Sequence, residues 1–204
     1  MTKHSNPTSL ETKEFNYLKT HGADKIGQET MSLLQDNKIK LDGEPLYVRT
    51  KIGTSNDNEL LTANLSESVG VTNIDKRKLP KFVNFIISKI SFGYASAPLG
   101  TKVAEALAYT SFDNAIPAAL QNADLIIKQN DQPLCVFPIK TFLREDKIRH
   151  AHGEAGYDLP YLVTIKEDVQ FQILIKFPTG QSLDPNVDNF VEIFLRGART
   201  KQRN

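Results

Sequence analysis

The feature that most constrains the fold is a series of short segments in which apolar side chains recur at every second position. These segments occupy residues 81–94, 120–129, 134–142, 161–165, 169–177 and 190–195. Successive side chains of a β-strand point to opposite faces, so a period of two predicts strands that bury one face. No βαβ alternation and no repeat of fixed period interrupts the series. The sequence therefore predicts one antiparallel β domain.

The alternation also predicts which side chains share a face. In residues 169–177 the apolar stripe consists of Val169, Phe171, Ile173, Ile175 and Phe177. In residues 81–94 strict alternation places Ile86, Ser88, Ile90, Phe92 and Tyr94 on one face, and Val83, Phe85 and Ile87 on the other. Because both faces of the second segment carry apolar residues, we expect it to be covered on both sides for part of its length.

The clearest hairpin runs from residue 124 to residue 139. Leu125 and Ile127 alternate with polar residues, residues 129–132 supply a turn, and an apolar return strand follows. Pro133 and Pro138 have no N–H to donate to a strand ladder, so the return strand is expected at a sheet edge or at a bulge.

The N-terminal part has a different character. Residues 1–20 are polar, with isolated Phe15, Tyr17 and Leu18, and cannot bury a core alone. We expect an arm that becomes ordered only against a partner or the main domain, followed by one short amphipathic helix within residues 23–37. The predicted organisation is an arm with its helix over residues 1–40 and a β domain over 41–204, whose first strand is residues 46–52.

Charge gives one local signal. The 204 residues carry 25 basic and 24 acidic side chains, so the net charge of +1 creates no overall field toward nucleic acid or an anionic membrane. A basic tail, residues 196–204, contains Arg196, Arg199, Lys201 and Arg203 without an acidic neighbour in sequence. Such an end is typical of a solvated tail, with weak contact to nucleic acid or a membrane as the functional alternative.

Cys135 is the only cysteine, which excludes an internal disulfide and any cysteine-based zinc site within one chain. The chain is expected to form in a reducing compartment. Residues 1–18 have no apolar core of signal-peptide length, and nothing approaches the ~20 apolar residues of a transmembrane helix.

One cluster suggests metal chemistry. His150 and His152, two residues apart, lie near Glu154 and Asp158. The motif resembles that of cupins, a jelly-roll enzyme family, but Glu154 follows too closely and no histidine comes after His152. The stretch is dense in charge and glycine, which favours an exposed loop. Cys135 lies within a strand pattern, where a thiol acts as a small hydrophobe. We therefore predict no catalytic residue, no metal site, no cofactor and no small-molecule substrate.

The strands number about eight and are joined by loops of very unequal length. This favours a two-sheet sandwich of jelly-roll type, since up-and-down barrels have short and even loops. An immunoglobulin-like sandwich stays open, although the paired cysteines and the tryptophan of antibody domains are absent.

In strand count, loop inequality and N-terminal arm, residues 46–201 resemble single jelly-roll capsid proteins of icosahedral viruses, including bacteriophages. The resemblance implies a structural virion protein (capsid, vertex or minor capsid component) that is made in the host cytoplasm and assembles with itself and other virion proteins. The expected contacts are Phe15, Tyr17, Leu18, Phe194, Arg199, Lys201 and Arg203. The alternatives are a module that binds a host glycan or surface protein through residues 96–117 and 143–160 and, least favoured, a metal-dependent enzyme.

Overall fold

The computed structural model describes residues 13–102, 107, 112–142 and 156–203. Three α-helices lie wholly within these residues: α1 (Lys13–Ile26), α2 (Gln28–Gln35) and α3 (Ala118–Gln121). The strands are β1 (Ile39–Asp42), β2 (Leu46–Ile52), β3 (Asp57–Glu59), β4 (Phe85–Pro98), β5 (Asp124–Gln129), β6 (Gln132–Pro138), β7 (Tyr157–Ile165), β8 (Phe171–Lys176) and β9 (Val187–Gln202). Strand β2 has the predicted bounds.

The strands form two sheets in which every paired strand is antiparallel. In sheet A the order is β1-β9-β4-β7. Strand β2 follows β1 along the same side of β9 and pairs with β9 there. In sheet B the order is β3-β8-β5-β6. This confirms the prediction of a mainly β, antiparallel fold. None of the helices in the described ranges is long and apolar enough to cross a membrane.

The longest strand, β9, holds sheet A together. One side of β9 pairs with β1 through residues 199–202 and with β2 through residues 189–195. Its other side pairs with β4 from Val187 to Arg199. Residues 196–202 are therefore part of a strand, which corrects the expectation of a solvated tail. Their backbone pairs with the neighbouring strands β1 and β4.

Side chains from both sheets share one buried cluster. It includes Phe85, Ile90 and Ile193 from sheet A, and Leu125 and Ile173 from sheet B. The outer face of sheet A is covered as well. At one end Leu18 and Ile26 of α1 pack on Ile86 of β4. At the other end Phe112 and Leu107 pack with Phe190 of β9. Sheet A is thus buried on both faces over much of its length.

A β-bulge overturns the predicted faces of β4. The register of β4 with both β7 and β9 shifts between Ile87 and Lys89. Ser88 is the extra residue, so Phe85 and Ile87 lie in the same core as Ile90, Phe92 and Tyr94. Ile86 points to the opposite face. Strict alternation fails here because a bulge adds one residue to the count.

The hairpin prediction is confirmed. Strands β5 and β6 pair from Asp124 with Pro138 to Gln129 with Gln132. Strand β6 lies at the end of sheet B, and the register shifts between Ile127 and Lys128. Both expectations for the proline-containing strand therefore hold: it is an edge strand and its ladder is irregular.

Residues 13–20 of the expected arm are ordered against the main domain, one of the two outcomes expected for it. Residues 13–26 form a complete helix, and the chain turns at Gly27 into a second helix, where one short helix was expected. A helix of 14 residues is only marginally stable in water by itself, and the packing of Leu18 and Ile26 on the sheet supplies the stabilisation. Strand β7 likewise begins at Tyr157, four residues before the predicted segment.

Candidate functional site

One concave surface in the described residues is a cleft on the outer side of sheet A. Its volume is about 790 Å³. One wall is α1, through Phe15 and Leu18; the other is the end of α2 with β1, through Met31, Leu34 and Leu41. Leu18 is buried, whereas Phe15, Met31, Leu34 and Leu41 are each partly exposed. The walls are therefore apolar but only partly covered by the chain itself.

The floor of the cleft lacks large side chains. It is formed by Gly197 and Ala198 of β9. A Cβ atom at Gly197 would lie 1.8 Å from the carbonyl oxygen of Ile86, so only glycine fits where β9 passes the bulge of β4.

A polar network fixes the helices that form the walls. The Thr30 hydroxyl donates to Glu167 Oε1 at 2.7 Å, and Asn84 Nδ2 donates to the same oxygen at 3.2 Å. Thr30 and Asn84 are buried. Helix α1 is held at both ends, because Lys13 Nζ donates to Leu159 O at 3.2 Å and Lys166 Nζ donates to Asp24 O at 3.1 Å. Buried bonds to a carboxylate are among the stronger ones in proteins, so α2 is firmly attached to the sheet.

Charged residues line the rim where β1 meets β9. Arg199 forms an ion pair with Glu44, and Lys201 Nζ lies 3.5 Å from Asp42 Oδ2 and 3.8 Å from Glu44 Oε2. Two basic residues of the expected tail thus have acidic neighbours in space that they lack in sequence. Lys40 lies directly across the ladder from Lys201.

The structure brings three of the predicted contact residues to this cleft. Phe15, Leu18 and Arg203 all line it, and the Arg203 N–H donates to Lys38 O at 2.9 Å. Lys19 lies over the Phe15 ring at 4.7 Å from its centroid. Tyr17 packs beside Leu18 in the cluster between α1 and sheet A.

Phe194 lies elsewhere. Its ring stacks on Tyr47 across the β2–β9 ladder, with centroids 5.3 Å apart, and Arg196 lies 5.9 Å above it. Phe194 therefore packs within its own sheet and its own chain.

Sequence reasoning missed Met31, Leu34 and Leu41 of the walls and Gly197 of the floor. These residues are brought together by the pairing of β1 with β9 and by the turn at Gly27. The sequence pattern predicted a helix that includes Leu33 and Leu34, but it did not predict which face of that helix packs beside β1.

The other candidates contribute little chemistry. His150, His152 and Glu154 lie outside the described residues, and the ranges 13–102, 112–142 and 156–203 contain no group of three or more potential metal ligands. Asp158 lies 3.7 Å from Lys89. Burial raises the pKa of the Cys135 thiol to about 11, which keeps it protonated at neutral pH.

Comparison with known proteins adds no relative. No protein-family model, no curated protein and no solved structure matches the chain.

Proposed function

We propose that this chain is a structural virion protein, a capsid, vertex or minor capsid component, that acts by self-assembly with copies of itself and other virion proteins. The observation that carries the proposal is the cleft beside β1. There an end strand of sheet A lies next to partly exposed apolar side chains on two firmly attached helices. Unpaired strand edges and apolar patches are the surfaces through which β proteins associate.

We further propose that the two sheets pack as a sandwich of jelly-roll type. Three features support this architecture: antiparallel pairing throughout the named strands, one cluster of side chains shared by the two sheets, and long connections between strands of different sheets. A sandwich whose end strand lies beside partly exposed apolar side chains is a suitable building block for a shell. This step is an analogy of fold.

The basic end has a smaller part in the proposal than its sequence suggested. Arg199 and Lys201 are paired with Glu44 and Asp42, so contact with nucleic acid or a membrane would depend mainly on Arg196 and Arg203. We expect such contact to be weak and to disappear at moderate salt.

The test is the mass in solution by light scattering over a range of protein concentrations, with electron microscopy of the largest species. The chain should form discrete oligomers whose fraction rises with concentration. A version that begins at Lys13 keeps α1 intact, whereas removal of residues 1–20 would delete Leu18 and damage the fold. A monomer at every concentration, in both versions, would contradict self-assembly.

One observation favours the second candidate, a module that binds a glycan or a host surface protein. Tyr161 is 49% exposed, although its ring stacks on Phe137 with centroids 6.1 Å apart, and Val136 nearby is 47% exposed. Exposed aromatic rings of this kind provide flat surfaces for sugar rings. A glycan array probed with the wild type and Tyr161→Ala tests it: specific binding lost in the variant would favour the module.

A further inference from the structure

In the part of the chain that the structure describes, no strand pairs with the outer edge of β1, whereas the outer edge of β2 is covered. Residues 71–73 cover β2: the Arg49 N–H donates to Val71 O at 2.8 Å and the Tyr47 N–H donates to Asn73 Oδ1 at 2.9 Å. Among the described residues, no strand lies beyond β1. The two segments are successive parts of one side of β9, so the difference in cover is local to residues 39–42.

The direction of the β1 backbone follows from its neighbours. The Thr200 N–H donates to Asn84 O at 2.9 Å, away from β1, and the Arg203 N–H donates to Lys38 O. Thr200 pairs with Leu41 in the register of β1 with β9. Since antiparallel ladders alternate bonded and non-bonded pairs, the N–H and C=O of Leu41 point away from β9, as do those of Ile39.

The charges along β1 are complementary to those of a second, antiparallel β1. Lys40 is exposed and faces Lys201 across the ladder, and like charges directly opposite each other are unfavourable. Asp42 lies two residues further along the same face. If β1 pairs with an antiparallel β1 about a two-fold axis at Leu41, then Lys40 faces the partner's Asp42, and Asp42 faces the partner's Lys40.

We therefore infer that two copies of this chain associate through β1, antiparallel and centred on Leu41, so that sheet A continues across the two-fold axis. The inference rests on the proposed function and specifies its first contact. The occupant is a second copy because one strand supplies both the donors and acceptors and both signs of charge, as an isologous interface requires. Four residues of strand bury little area alone, and Phe15, Met31 and Leu34 beside the edge supply the apolar part of the contact.

A charge exchange tests the register. In the full chain Lys40→Asp places two carboxylates opposite each other at both ends of the contact, and should raise the dissociation constant of the dimer about ten- to hundredfold. The double variant Lys40→Asp with Asp42→Lys restores opposite charges and should return the constant to within about threefold of wild type. Lys140→Asp, at another exposed lysine, makes the same change of net charge away from β1 and should leave the constant unchanged.

A cross-link tests the two-fold axis directly. Leu41→Cys brings two thiols opposite each other, with Cα atoms about 5.5 Å apart, within the range that a disulfide spans. The buried Cys135 stays silent. Oxidation should give a covalent dimer from Leu41→Cys and none from Lys140→Cys. Melting temperatures of all variants confirm that each is folded.

The outcomes separate the two claims. If light scattering finds oligomers but the Leu41→Cys chain does not cross-link, or the double variant fails to recover, the contact lies elsewhere: the inference is wrong and self-assembly stands. If the wild type is monomeric at every concentration and no cross-link forms, both are wrong.

Discussion

The close passage of β9 over the bulge of β4 makes a quantitative prediction for Gly197→Ala. A Cβ atom there would lie 1.8 Å from Ile86 O, and real Cβ contacts essentially never fall below 3.0 Å. The two strands must therefore separate locally by about 1.2 Å, the difference between those distances. Ile86 O and the Cα atom that would carry the new Cβ both belong to paired backbone, which cannot move aside as a flexible side chain can. The backbone of Gly197 also has φ +155°.

We expect the substitution to lower the free energy of unfolding by at least about 3 kcal/mol, in the range of severe backbone and overpacking changes. For a chain of this size that is a fall in melting temperature of about 6–12 °C. Thermal unfolding followed by far-ultraviolet circular dichroism measures it, because the chain has no tryptophan for fluorescence.

Two matched glycines separate the causes. Gly180 has φ +76° with nothing within 4 Å of an added Cβ atom, so Gly180→Ala carries backbone strain alone and should cost about 1–2 kcal/mol. At Gly53 the added Cβ would meet atoms no closer than 3.6 Å, and Gly53→Ala should stay within about 0.5 kcal/mol of wild type. A Gly197→Ala protein that melts no lower than Gly180→Ala would refute the reasoning from close contact.

Three further predictions concern buried polar groups. Thr30→Val removes the hydroxyl that donates to Glu167 and should lower the unfolding free energy by about 2 kcal/mol in urea titration, whereas Thr20→Val at an exposed helix position should change it little. The Cys135 thiol, with its pKa raised to about 11 mainly by burial, should react with a thiol reagent at neutral pH only after unfolding; rapid native labelling would contradict its burial. A hydrogen bond from Lys51 lowers the pKa of Asp188. The ionised carboxylate of Asp188 therefore stabilises the fold above about pH 4, and this stabilisation is lost as the pH falls further. The melting temperatures of wild type and Asp188→Asn should converge in acid.

The fold was predictable where periodicity and turn chemistry act together. Strand β2, the β5–β6 hairpin and strand β8 follow from alternation that ends at clear turn residues. The faces of β4 were not predictable, because one bulge at Ser88 reverses the phase and leaves no signal except a distant glycine, Gly197.

The candidate site was only partly predictable for a related reason. Phe15, Leu18 and Arg203 were singled out as isolated apolar or basic residues, but their meeting depends on long-range pairing. The burial of side chains in residues 60–79 was not predictable from the sequence either. They bury Leu60, Leu61, Ile74 and Leu79 without forming a named helix or strand, and an irregular backbone has no period to detect.

The place of β9 in sheet A has a consequence for how the chain is made. Strand β9 is the last strand in chain order, yet it lies between β4 on one side and β1 and β2 on the other. At ribosomal rates of about 5–20 residues per second, the 150 residues between the end of β2 and the end of β9 take about 8–30 s to synthesise. Strand β2 lacks its full partner strand for that time. During translation β1, β2 and β4 therefore lack their common partner, and nascent chains that stop before residue 187 carry several unpaired strand edges. Such edges can pair with other chains, so incomplete chains are prone to aggregation.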